Sequence, residues 1–372
     1  MEENVATAIR FALDITLKAT VLFLLTGLAL AALKRASAAA RQLVAMLGLA
    51  GALLLPVVSL VAPRWEIPLV PNPVPPASLT SASPAPENRA LRSEDEAVSL
   101  PNEDFPAAEA SSDVSTAAAA PAAASPKAWK SPVSRATGML LILALWAAGM
   151  VFSLARLALG AARVRRVCRL ASRDSDGEWS GLIADVSGKL GVSRAVRLLF
   201  SEDLAVPVTT GVSRPIVLLP EGARRWNDER RRVVLLHELA HVKRADWVAL
   251  VIGQVAAAVY WFHPLAWLAR IQMRKDCERA CDDLVLTSGT RPSVYAAHLL
   301  SIIRSLRLSR QRALPAVAMA RRSYWDGRMR AILDPGVERR GVSRTHARLA
   351  GGMLLAAVVA LAALEPWFAR EA

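Results

Sequence analysis

Four long apolar runs, at residues 11–33, 43–62, 138–159 and 349–364, set the plan of the chain. As helices rising 1.5 Å per residue, the first three can cross the hydrocarbon core of a bilayer, about 30 Å thick. The fourth is short, and Trp367 stands beyond it as an interfacial anchor. In the first run Asp14 and Lys18 lie four residues apart, a pair that a helix brings together. Acidic Glu2 and Glu3 open that run and Lys34-Arg35 follow it, so it reads as an uncleaved span rather than a secretory signal. Pro56 predicts a kink in the second.

Elsewhere the pattern is different. Residues 64–135 are rich in Pro, Ala and Ser and show no sustained apolar period, which predicts a disordered extracytoplasmic loop, a tether or a sensing segment. After the third run comes a basic amphipathic stretch to about Arg173. A helix over 178–190, ended near Gly191, and short β-rich runs at 196–200, 206–210 and 216–219 follow. Asn227-Asp228 then offers an N-cap to a helix with no Gly or Pro until Gly253. Residues 247–262 are apolar apart from Gln254, and at about 24 Å of helix they fall short of a full crossing. Helical spacing returns at 295–308 and 325–333.

Charge orients these elements. Hydrophobic residues make up 53 % of the chain, yet its formal net charge is +14. Residues 136–348 hold 34 Lys and Arg against 18 Asp and Glu, whereas residues 64–135 hold 6 against 9. By the positive-inside rule the basic part faces the cytoplasm and both termini lie outside. The basic surface then faces anionic lipid, which accounts for the charge without direct nucleic-acid binding. The expected division is two spans in 1–63, the outer loop in 64–135 and a third span in 136–160. A cytosolic domain in 161–345 follows, then a fourth span with a short outer tail in 346–372.

The chemistry sits in that cytosolic part. His237-Glu238-Leu239-Ala240-His241 puts two imidazoles four residues apart on one helix face, where both can hold one metal ion. Glu238 emerges beside them, placed as general base toward the attacking water. A catalytic zinc takes three protein ligands, and Glu278 is the candidate for the third. Asp282, four residues on, shares its helix face and can accept the free ring N–H of a ligating histidine. His263, His298 and His346 are rival ligands, none with a carboxylate partner at helical spacing. Of the three cysteines, Cys277 and Cys281 flank the third-ligand position, and a thiolate there could compete for zinc. Cys168 stands apart, and disulfides are not expected in the cytosol.

These residues resemble a known family. The zinc motif with Lys243-Arg244-Ala245-Asp246-Trp247, then Trp261-Phe262-His263-Pro264-Leu265-Ala266-Trp267, then Glu278-Arg279-Ala280-Cys281-Asp282-Asp283 are similar to the BlaR/MecR-type integral-membrane zinc metallopeptidases of the gluzincin group. The stretch 206–220 resembles that family's strand region before the zinc helix. The resemblance implies an α-helical integral membrane protein with an α+β gluzincin-like cytosolic zinc protease domain. It implies that Asp282 orients His237, and that an edge strand, here Val208, Thr209, Thr210 and Gly211, pairs with the substrate backbone. It also implies cleavage of a cytosolic protein, often a transcriptional repressor, and of the chain itself, for which residues 314–322, rich in small residues and expected to extend along an edge strand, are the candidate tract. Well-known members continue into an extracellular penicillin-binding sensor domain. The sequence here stops at Ala372, so β-lactam sensing is not expected of it.

Two points stay open in the sequence. One zinc needs both His241 and Glu278, so residues 247–262 either enter the bilayer and return after Pro264, lie along its surface, or form a buried helix of the protease fold. The competing functional class is a non-proteolytic membrane signalling or scaffold protein with a vestigial zinc site. An intact Glu238 and a full ligand set speak against it. The oligomeric state is not legible.

Overall fold

The apolar runs become long helices, and the short β-rich runs become a small sheet. A computed structural model of the chain describes residues 2–61, 135–174, 177–211, 213–309 and 315–364. The loop expected over 64–135 lies outside these up to residue 134, as does Trp367. In chain order the elements begin with α1 (Glu2–Ala32), α2 (Ala38–Val61), α3 (Arg135–Leu170), β1 (Ser172–Arg173), α4 (Glu178–Leu190), β2 (Arg197–Ser201), β3 (Val208–Thr210) and β4 (Ile216–Pro220). They continue with α5 (Asp228–Arg244), α6 (Asp246–Val259), α7 (Pro264–Thr287), α8 (Pro292–Ser309), α9 (Pro315–Leu333) and α10 (Arg344–Ala363).

Among the described residues, α1, α2, α3 and α10 are the four helices long and apolar enough to cross a membrane. Their faces carry the expected close contacts. The Lys18 ammonium lies 2.6 Å from Asp14 and also donates to the Ala362 carbonyl at 3.2 Å, tying α1 to α10. Gly48 of α2 meets the Thr26 side chain of α1 where a Cβ would collide with it, the small-residue approach that membrane helices use. Helix α3 runs 36 residues, well past the expected end at 159, because the basic stretch after it is built from good helix formers.

Among the described residues, two apolar cores result. One unites α1, α2, α6, α7 and α10 through residues such as Phe23, Leu49, Ala256, Met273 and Val358. The other packs α4, the sheet, α5, α8 and the ends of α7 and α9 around Phe200, Leu219, Leu235, Leu239, Tyr295 and Ile332. Helix α7 contributes to both, so its middle lies where they meet. Helices α6 and α7 form a hairpin through Tyr260–His263, and the hairpin packs against α1 and α2. Residues 247–262 thus form a helix that packs into the bundle and turns back into α7. Trp247, Leu250, Phe262 and Leu268 remain exposed on its outer side, an apolar surface suited to lipid.

The sheet has the order β1-β2-β4-β3. Strands β2 and β4 run parallel, while β1 and β3 pair antiparallel at the two edges. The two residues of β1 are too few for any periodic signal. Gly211 lies just past β3 with φ +88, and a Cβ there would come within 2.7 Å of the Arg214 carbonyl, so only glycine fits this turn.

Two local departures from the sequence expectation stand out. The zinc-motif helix does not run on toward Gly253; it ends at Arg244 because Ala245 takes a left-handed φ of 53, rare for a residue with a Cβ. Residues 315–322 are helical rather than extended, with Pro315 opening α9 at a position where its missing N–H costs nothing.

Candidate metal centre

Helix α5 is positioned by its ends. The Asn227 side chain accepts from the Arg230 N–H, Asp228 and Glu229 occupy the positive first turn, and the apolar run 233–236 is buried in the core behind it. That anchoring turns the face bearing His237 and His241 toward α7, with the two rings 5.0 Å apart between centroids. From α7, Glu278 Oε2 lies 3.6 Å from His237 Nε2. Ligand atoms of His237, His241 and Glu278 all fall within 4.8 Å of one another.

The outward nitrogens of both rings are held. His237 Nδ1 lies 3.3 Å from Asp282 Oδ1 and 2.9 Å from the Tyr295 hydroxyl, which itself donates to Asp282 at 2.5 Å. His241 Nδ1 lies 2.9 Å from Asp246 Oδ2. In each case Nδ1–H donates to an acceptor, which leaves Nε2 as the nitrogen that faces the centre and would ligate a metal. The Glu238 carboxylate, 7 % exposed, accepts from Thr209 Oγ1 at 2.7 Å, so the edge strand β3 touches it directly.

A buried cation completes the network. Arg328 of α9, 3 % exposed, donates to both Asp282 oxygens at 2.8 and 2.6 Å and reaches Glu278 Oε2 at 3.0 Å. Burial opposes the charged form of each partner, but the fork-shaped contact with Arg328 outweighs it and holds Asp282 below the ordinary carboxylate range. Burial alone would lower His237; the hydrogen bonds that it donates to Asp282 and Glu278 prevail and raise it to about 10 in the metal-free site.

The donor set fits a tetrahedral ion. Bonds of about 2.1 Å to nitrogen and oxygen give ligand–ligand edges of about 3.4 Å, close to the His237–Glu278 separation. A second cluster of potential ligands, His241, Asp246 and Cys281, fits less well. Its separations of 2.9, 3.1 and 3.2 Å are hydrogen-bond lengths. Zinc bound to sulfur at about 2.3 Å would need a sulfur–nitrogen edge of about 3.6 Å. Burial also raises the Cys281 thiol, keeping it a proton donor to Asp246.

Each remaining candidate from the sequence lies elsewhere. His263 meets Thr20 at 2.9 Å and packs on Phe23, His298 sits 3.5 Å from exposed Glu229, and His346 bonds the capping Ser343. Sequence reasoning missed Asp246, Tyr295 and Arg328. Asp246 follows His241 by five residues, across a helix break that no Gly or Pro announced. Tyr295 and Arg328 belong to other helices and left no local signal.

Long apolar helices, a His-Glu-x-x-His helix and a carboxylate from a second helix together describe the class of integral-membrane metallopeptidases. The family model described as BlaR1 peptidase M56 matches residues 59–332, and the chain belongs to that family. It is 38 % identical to the Regulatory protein BlaR1 of Bacillus licheniformis over 80 residues, 22 % of this chain and 13 % of that protein. It is 29 % identical to the Methicillin resistance mecR1 protein of Staphylococcus aureus over 92 residues, 24 % of this chain and 16 % of that protein. The matched segments thus span well under two thirds of those relatives. Membership and the four apolar helices make this a membrane protein.

Proposed function

We propose that the chain is a membrane-embedded zinc endopeptidase that cuts a cytosolic regulatory protein of repressor type, and itself, in transmembrane signalling. The observation that carries this reading is the convergence of His237, His241 and Glu278 within ligand distance beside a Glu238 held by an edge strand. The succession of small sheet, motif helix and third-ligand helix supports a gluzincin-like domain. Zinc, bound by His237, His241 and Glu278, would polarise the scissile carbonyl and acidify water. Glu238 takes the proton of the attacking water as its oxygen adds to the carbonyl carbon. It then delivers that proton to the amine nitrogen as the C–N bond breaks. Asp282 with Tyr295, and Asp246 on the other side, keep the two rings in the ligating tautomer. The outer edge of β3, Val208–Thr210, aligns the substrate backbone, with Gly211 turning the chain away after it. The relatives' printed names, a regulatory and a resistance protein, support a regulatory substrate.

Metal analysis tests the site. Purified chain should carry about one zinc, and Glu278→Ala should lose it. Because His237 holds a proton in the metal-free site, zinc uptake near neutral pH should release it, about one proton by calorimetry in buffers of different ionisation enthalpy. Affinity therefore rises with pH up to about 10. Undiminished zinc in Glu278→Ala would remove that residue from the site.

The same reading places the metal site at the cytosolic edge of the bacterial inner membrane, with both termini outside, on the charge bias of the sequence. A reporter fused after residue 120 should be active outside the cytoplasm and one fused near residue 175 inside. Export of the second fusion would contradict this topology.

A further inference from the structure

The metal site is gripped from behind by a membrane helix. Gln42 lies in the second turn of α2, one of the four apolar spans, and is 5 % exposed. Its Nε2 donates to Asp246 Oδ1 at 3.0 Å, while the other oxygen of the same carboxylate, Oδ2, lies 2.9 Å from His241 Nδ1. The Gln42 amide oxygen accepts from Arg244 Nη2. This fixes which way the amide points, because a flipped amide would set N–H₂ against the guanidinium and oxygen against the carboxylate. The preceding residue grips too: Arg41 Nε lies 3.4 Å from Asp276 Oδ2, a buried carboxylate on α7 two residues before Glu278. One turn of α2 thus holds the acid behind His241 and a buried acid of the helix that carries Glu278.

We propose that Gln42 is a positioning residue for His241, acting through Asp246, so that the set of the α2 span controls the geometry of the metal site. This rests on the reading of His241 as a ligand. The physical case is that Asp246 is 1 % exposed and is oriented by four donors at once: Gln42, Arg244, His241 and Cys281. Arg244 and Cys281 sit on the helices that also carry the candidate ligands, α5 and α7, and move with them. Gln42 is the donor that comes from a membrane span. A helix shift of 1–2 Å, the size common at packed interfaces, would break a 3.0 Å bond and release Asp246 to rotate. The His241 ring would then lose its Nδ1–H acceptor, and with it the preference for presenting Nε2 as lone pair.

The experiment uses the full chain in detergent or nanodiscs, with Gln42→Met, Asp246→Asn and the double variant. Methionine keeps the length and packing of the side chain without its hydrogen bonds. The first readout needs no metal: nitrogen NMR of ¹⁵N-histidine-labelled, zinc-free protein, with the His241 signals identified by their loss in His241→Ala. Wild type should show His241 as the Nδ1-protonated tautomer, and Gln42→Met should weaken that preference while the other histidines stay as they were. The second readout is zinc affinity against a competing chelator. Gln42→Met and Asp246→Asn should each weaken binding about 10- to 100-fold, the usual effect of losing a ligand's outer partner. In the Asp246→Asn background, Gln42→Met should add nothing further. An unchanged His241 tautomer in Gln42→Met, or losses that multiply in the double variant, would overturn the proposal. If wild type binds no zinc while the tautomer still responds to Gln42→Met, the ligand reading fails and the Gln42–Asp246–His241 link stands.

Discussion

Glu238→Gln is expected to lower peptide cleavage about 10³-fold while leaving zinc bound. The amide is the same size and its oxygen can still accept from Thr209, so the bond to β3 and the local packing survive. It cannot take a proton from water, and that is the step the carboxylate supplies. The assay is cleavage of a candidate repressor by the purified chain, run beside zinc analysis of the same sample. In cells, the membrane fragment produced by self-cleavage within 314–322 should vanish with the same substitution. That cut requires the first turns of α9 to unwind, since they are helical from Pro315. Cleavage at the wild-type rate in Glu238→Gln would remove this residue from the chemistry.

Arg328→Met should cost stability on a scale uncommon for a single substitution. It leaves the Asp282 carboxylate buried without its two-pronged partner and Glu278 without its nearest cation. Breaking a buried ion pair by removing one member costs about 3–5 kcal/mol, because the surviving charge stays desolvated. The loss should appear as a lower unfolding midpoint of the zinc-free chain. Adding Asp282→Asn to Arg328→Met should recover part of it, since no unpaired aspartate charge then remains. A midpoint unmoved by Arg328→Met would mean that the network contributes nothing net.

Much of this architecture was legible along the chain, and the reason is periodicity. The four apolar runs coincide with the four long helices, three of them overrunning the helix end by one residue, and the 178–190 helix and three of the strands emerge within a residue or two of their expected bounds. The pair of histidines and the pair of acids each lie on one helix, so 3.6-residue spacing alone puts each pair on a face. What the sequence hid is what tertiary packing decides. Ala245 breaks a helix that its composition would continue, and so aims Asp246 back at His241. Tyr295 and Arg328 reach the site from α8 and α9, at separations over which no spacing rule operates. The packing of the α6–α7 hairpin rests on contacts with α1 and α2 that a single strip of sequence does not encode.

X-ray absorption at the zinc edge of the purified, zinc-loaded chain tests the central claim most directly. His237, His241 and Glu278 as ligands predict a first shell of nitrogen and oxygen alone, at about 2.0–2.1 Å, with imidazole scattering from two histidines. A sulfur scatterer at about 2.3 Å would contradict it, moving the metal to Cys281 and away from Glu238.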